Sequence, residues 1–125
     1  MIVTNFLRNW RKSIPILTYK VITLPLAEKD IIEQADYIAF EFRAPETAVN
    51  IVRGLRKSIT NLSIFPQGHK LDEDKELARY GIRKTYYKNY KIYFLVDESQ
   101  RIVYILRVFH VLVDSKEKIL NFFKI

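Results

Sequence analysis

The feature that most narrows the fold is a pair of helix-period segments with almost nothing between them. In residues 26–42, Ile31, Ala35, Ile38 and Phe42 recur at the 4-3-4 spacing that puts side chains on one face of an α-helix. In residues 45–64, Ala48, Val52, Leu55, Ile59 and Leu62 repeat the pattern. Only Arg43-Ala44 separates them, and Pro45 suits a first helical position, where its missing N–H is not needed. So short a link makes the two helices an antiparallel hairpin with a shared apolar face. Glu28 and Asp30 fall in the first turn of the first helix, where carboxylates suit the helix dipole. Pro66 and Gly68 end the second helix.

That apolar face needs a second layer, and the rest of the chain supplies it as strands. Residues 19–24 read as one strand, ended by Pro25. Residues 80–87, 90–96 and 102–113 read as three more, parted by Lys88-Asn89 and by Asp97-Glu98-Ser99-Gln100. Only Arg107 and His110 interrupt the apolar run of the last strand, which predicts a central place in the sheet. Ser115 is expected to cap a final helix over 116–123. The order is β-α-α-β-β-β-α, an α+β class with a helical hairpin on a mostly antiparallel sheet. Residues 1–18 stand apart. They are basic, hold the only tryptophan, Trp10, and are interrupted by Pro15. They predict an N-terminal extension before a domain spanning 19–125. Such an extension suits a short extra helix, a frayed end, or an arm for a membrane surface or nucleic acid.

Composition removes several function classes. With 49% hydrophobic and 14% aromatic residues in 125, the chain supports one core and is neither disordered nor fibrous. The absence of cysteine excludes disulfide scaffolds, cysteine zinc sites and thiol catalysis. No stretch reaches the roughly 18–20 apolar residues of a membrane span, so a soluble cytoplasmic protein with no membrane partner is expected. Three glycines build neither a phosphate loop nor a dinucleotide fingerprint. The cluster Asp72-Glu73-Asp74-Lys75-Glu76 lacks the glycine and terminal glutamate of a calcium loop and reads as a solvated loop. His69 and His110, without cysteine, make no dedicated zinc site. No metal or cofactor is expected.

The charge has a local origin. The chain carries a formal +7, and residues 79–91 hold five bases and no acid, interleaved with Tyr80, Tyr86, Tyr87 and Tyr90. Cations and aromatic rings on a sheet suit phosphates and unpaired bases. The same residues also suit an ordinary sheet, since tyrosine favours strands and Lys and Arg protect edges.

Particular residues now converge on a family. Pro25-Leu26-Ala27-Glu28-Lys29-Asp30 opens the first helix, followed by Asp36-Tyr37-Ile38-Ala39. Gly81-Ile82-Arg83-Lys84 precedes Asn89-Tyr90-Lys91-Ile92-Tyr93-Phe94 and Val96-Asp97-Glu98. Ile105-Leu106-Arg107-Val108-Phe109-His110, then Asp114, completes the series. In this order and spacing the chain resembles the RelE/ParE superfamily, the toxins of type II toxin–antitoxin pairs. The resemblance implies a plasmid-stabilisation type of toxin with an acidic, partly disordered antitoxin as partner. RelE-like members cut mRNA on the ribosome without metal, through attack by a ribose 2′-hydroxyl. ParE-like members inhibit DNA gyrase without known nuclease chemistry. By position, the resemblance implies Arg83, Lys84 and Lys91 as the groups that stabilise a phosphorane. It implies Arg107 as the group that positions it, and His110 as the general acid/base. Where many members have Arg, Lys91 keeps the charge and loses the bidentate fork. Residues 111–125 lack the tyrosine found in nuclease members. A ribosome-dependent mRNA endonuclease is the first expectation. A gyrase inhibitor, or a member that only binds its antitoxin, is the alternative.

Overall fold

The computed structural model describes residues 18–123. Strand β1 (Lys20–Thr23) stops at Leu24-Pro25, because proline offers no N–H to a ladder and its fixed φ suits the first turn of a helix. The chain turns at once into α1 (Pro25–Glu41), then after three residues into α2 (Pro45–Asn61). A 3-10 turn (Pro66–Gly68) and a short helix α3 (Lys75–Arg79) lead to β2 (Arg83–Tyr87), β3 (Tyr90–Asp97), β4 (Ile102–His110) and α4 (Lys116–Leu120). The sheet order is β1-β4-β3-β2; β1 runs parallel to β4 and the other pairs are antiparallel. The class is the expected α+β hairpin on a mostly antiparallel sheet, and β4 lies inside it.

Two cores flank the sheet. On one face Ala27, Ile31, Leu55, Ile59 and Leu62 of the hairpin side meet Ile92, Phe94, Val103, Ile105 and Val108. On the other, Leu77 of α3 with Ile119 and Leu120 of α4 cover Tyr93, Leu106 and Phe109. The hydrophobic stripe of α1 ends at Ile38. Phe42, expected to extend it, is exposed, because it is the C-cap residue where the chain leaves helical geometry.

Several boundaries differ from the sequence expectation. Residues 80–82 do not belong to β2. They close α3, which the sequence reading missed: Gly81 takes φ +81, open to glycine at little cost, and the Ile82 N–H donates to the Leu77 carbonyl. The acidic cluster is not merely solvated. Asp74 caps α3 by accepting from the Glu76 and Leu77 N–H groups, and Asp72 is buried. At the far end β4 stops at His110. Residues 111–113 form a turn, with the Val111 N–H donating to the Asn89 carbonyl. Ser115 stands at the start of α4 but its side chain makes no cap bond.

One acidic residue joins hairpin to sheet. Since β1 is four residues long, it pairs with β4 only from Ile102 to Ile105. The Leu24 N–H donates to the Ile105 carbonyl. Asp30, 6% exposed, then takes over: its Oδ2 accepts the Val108 N–H at 3.0 Å, and its two oxygens receive the Arg107 Nε and Nη2 at 2.7 and 2.8 Å. The carboxylate thus serves a backbone donor that a longer β1 would have served. A second cross-link lies within the hairpin, where the Arg56 guanidinium forks onto Glu28. At the opposite edge, Tyr87 of β2 lies against α2 at Gly54, and any Cβ there would overlap the phenol.

Two stability measurements check these joints. Asp30→Ala leaves the part-buried Arg107 guanidinium and the buried Val108 N–H without their partner and should cost about 3–5 kcal/mol in urea unfolding, with an unchanged m-value. Gly54→Ala should cost about 1–3 kcal/mol. In a Tyr87→Ala background that penalty should largely vanish, a coupling that a double-mutant cycle reads directly.

Candidate functional site

Strand alternation decides which of the expected residues can meet. Successive side chains of a strand point to opposite faces. In the β3–β4 ladder Tyr90 pairs with His110 and Lys91 pairs with Phe109. Tyr90 belongs to the hairpin-side core, and Phe109 to the core on the other face. His110 and Lys91 therefore lie on opposite sides of the sheet. In the β2–β3 ladder Lys84 pairs with Tyr93, which places Lys84 on the face of Lys91.

On that face the two lysines flank one ring. The Lys84 and Lys91 ammonium groups lie 5.9 and 5.8 Å from the Tyr93 centroid, and Lys84 lies 5.6 Å from that of Tyr86. Lys91 is buried beneath the turn after β4. Its Nζ donates to the Val113 carbonyl at 2.7 Å and to the Ser115 Oγ at 3.0 Å, and the Tyr93 hydroxyl shares that Oγ at 2.6 Å. Burial holds the Lys91 ammonium below the ordinary lysine pKa, and nearby Lys84 pushes the same way. For Lys84, burial also acts downward. The interaction with Tyr86 and the Asp72 carboxylate at 3.4 Å outweigh it, so its pKa is raised. Burial likewise raises the Tyr93 phenol, against the Ser115 hydrogen bond.

The remaining three expected residues are elsewhere. Arg83, next along β2, donates to the His69 carbonyl at 2.6 Å. The fork of Arg107 is held by Asp30, with its guanidinium carbon 4.5 Å from the Phe109 centroid. His110 sits edge-on to Tyr90, and its Nδ1 accepts the Leu112 N–H at 3.2 Å. It lines an open groove of about 590 Å³ on the hairpin side, with Tyr37, Ile38, Phe42, Tyr90 and Val113 as its apolar wall and Glu33 at its rim. The structure thus brings together Lys84 and Lys91 and separates them from His110.

Sequence reasoning missed the partners that define this arrangement. The sequence suggests Ser115 as a helix cap and Asp72 as part of a solvated loop, not as the partners of Lys91 and Lys84. For α3, the signals were present in Asp74 three residues before Leu77 and in Gly81. Among the described residues no group of three His, Cys, Asp or Glu is placed to hold a metal, and no helix is long and apolar enough to cross a membrane.

Solved structures share the architecture. One belongs to the chromosomal ParDE TA system from P. aeruginosa: TM-score 0.61, 18% identity, covering 75% of this chain and 97% of that one. Another belongs to the toxin–antitoxin complex RelBE2 from Mycobacterium tuberculosis: TM-score 0.54, 21% identity, covering 76% and 93%. The fold is therefore one found in the proteins of toxin–antitoxin systems. Residues 21–112 match the family model of the ParE toxin of type II toxin–antitoxin system, parDE. The chain belongs to that family. No curated protein matches it.

The two lysines predict opposite pH behaviour. Lys91 has a folded pKa below its ordinary 10.5, so the unfolded chain binds more protons as pH climbs through the window under 10.5, and the burial penalty is relieved there. Lys84 has a folded pKa above 10.5, so its contribution is full below 10.5 and is lost as pH rises beyond it. Urea unfolding of the unmodified chain, Lys91→Met and Lys84→Met across the alkaline range should show this. The stability difference from Lys91→Met should move in favour of the unmodified chain as pH rises toward 10.5. The difference from Lys84→Met should shrink above 10.5.

Proposed function

We propose that this type II toxin stops growth by binding its target, DNA gyrase, and that RNA cleavage is not its activity. The observation that carries this reading is the separation of the bases from the histidine. Cleavage by a ribose 2′-hydroxyl needs a proton acceptor and donor within hydrogen-bond reach of the groups that stabilise the phosphorane. His110 faces the hairpin-side groove, while Lys84 and Lys91 face the other way. Arg107 is held by Asp30 and Arg83 by a backbone carbonyl.

An acidic antitoxin is the partner in this proposal. The net charge of +7 speeds its encounter, and the apolar groove beside α1 receives its apolar side chains. One observation favours the rival reading, a ribosome-dependent mRNA endonuclease. Lys84 and Lys91 share a face with Tyr93, and burial holds the Lys91 ammonium below its ordinary pKa.

Two assays on the purified chain separate them. Gyrase supercoiling should be inhibited and restored by the antitoxin, while mRNA on translating ribosomes stays whole. His110→Ala should keep growth inhibition. Codon-phased cleavage of ribosome-bound mRNA, abolished by Lys91→Ala, with supercoiling untouched, would overturn the proposal in favour of the nuclease.

A further inference from the structure

The sheet has a second place where one strand outruns its neighbour. β3 pairs with β2 as far as Phe94, the partner of Arg83. It runs on through Leu95, Val96 and Asp97 with no strand partner on that flank among the described residues. β2 starts late because the chain before it closes α3. Gly81, which would come opposite Val96, takes φ +81 and gives its N–H to the Ala78 carbonyl. On the other flank, β4 does not serve Val96 either. The Arg101 and Ile105 carbonyls accept from the Lys20 and Leu24 N–H groups. Every second residue in this part of β4, Val103 included, therefore turns its N–H and C=O toward β1. Val96 is the partner of Val103 and by the same alternation turns its own pair away from β4, toward the flank that β2 has left.

Beside β4, Asp30 answers the equivalent gap with a carboxylate. Beside Val96 lies an open groove of about 510 Å³. Leu95 and its cross-strand partner Tyr104 line it, with Tyr80, which is half-exposed and stacks on Phe123 at 4.3 Å. Its charged groups are Asp97, Glu98 and Arg83. Hydrogen bonds from the Tyr19 hydroxyl and Gln67 hold Glu98 below the ordinary carboxylate pKa, and those from the Ser99 hydroxyl and the Gln100 N–H do the same for Asp97. Both are anionic at neutral pH. The one guanidinium, that of Arg83, donates to the His69 carbonyl. In a chain of net +7, this groove carries an excess of negative charge.

We infer that the groove takes an extended, basic segment of another protein, which adds to β3 as a further strand. A donor and an acceptor side by side on one extended residue are what a strand backbone pairs with. The Leu95, Tyr80 and Tyr104 side chains receive alternate side chains of the segment, and its lysine or arginine meets the carboxylates and the tyrosine rings. The same carboxylates repel an acidic segment, so the occupant is not the antitoxin. The inference is independent of the target proposed above.

Amide exchange and a peptide probe test it on the full chain. In the free protein the Val96 N–H should exchange at least tenfold faster than those of Ile92 and Phe94, which face β2. A five-residue peptide of alternating valine and arginine, blocked at both ends, should shift the Val96 amide resonance and protect it. The same peptide with glutamate for arginine, or methylated on its backbone nitrogens, should bind at least tenfold more weakly. Glu98→Gln should weaken binding of the arginine peptide severalfold, and Phe40→Ser, on the outward face of α1, should leave it alone. A Val96 amide as protected as that of Phe94 in the free chain overturns the inference, as does equal binding of the arginine and glutamate peptides or of neither. Protection that grows with protein concentration overturns it in favour of a second copy. A Val96 shift with guanosine monophosphate and none with the peptide overturns it in favour of a nucleotide.

Discussion

The fold depends on a carboxylate that finishes a strand. β1 is too short to line β4, and a sheet edge left open inside the protein would strand a backbone donor at Val108. Asp30 closes that gap from α1 through its Oδ2 and binds the Arg107 fork with both carboxylate oxygens. This fixes where α1 crosses the sheet. Since α2 is tied to α1 through Arg56 and Glu28, it fixes the hairpin as a unit. The groove beside His110 is lined by the second half of α1, at Tyr37 and Ile38, by Phe42 just after it, and by Tyr90 and His110 of the sheet. A buried charge pair is a weak source of net stability, because desolvation opposes it. Its worth here is positional: no apolar pair could satisfy the Val108 N–H.

Most of the architecture was legible because periodicity carries it. Two 3.6-residue stripes on either side of Pro45 leave little choice but a hairpin, and the apolar run around Val103 and Val108 leaves little choice but an inner strand. What was not legible has a physical reason in each case. α3 is five residues long, so it shows no periodicity, and only its cap and its glycine announce it. Phe42 continued the numerical stripe of α1 although the helix had already ended, because periodicity does not mark where the chain leaves a helix.

The site was hidden for a subtler reason. Which face a strand residue occupies follows from register, and β4 carries an irregularity. Tyr93 pairs with Arg107 and Phe94 with Ile105, so Leu106 is an extra residue in the ladder. Ile105 and Val108, three apart, both face the hairpin. Counting in twos from Ile105 would have put Arg107 and Phe109 on the hairpin side, and His110 with the lysines. The bulge at Leu106 reverses that phase from Arg107 onward. A residue-by-residue carry-over from a family motif assumes that the faces are shared, and a single inserted residue is enough to divide a set that looks contiguous in the sequence.

The same geometry changes what the positive charge can do. Of the five bases in residues 79–91, Arg83, Lys84 and Lys91 each have partners inside the domain: the His69 carbonyl, Asp72, and the Val113 carbonyl with Ser115. A cation engaged in this way still adds to the long-range field but is poorly placed to grip a phosphate directly. Field without grip favours fast encounter with an acidic partner and leaves affinity to apolar contact. A partner-binding toxin needs that combination. A nuclease needs the reverse: bases free to meet the developing charge, on the side where the proton carrier stands.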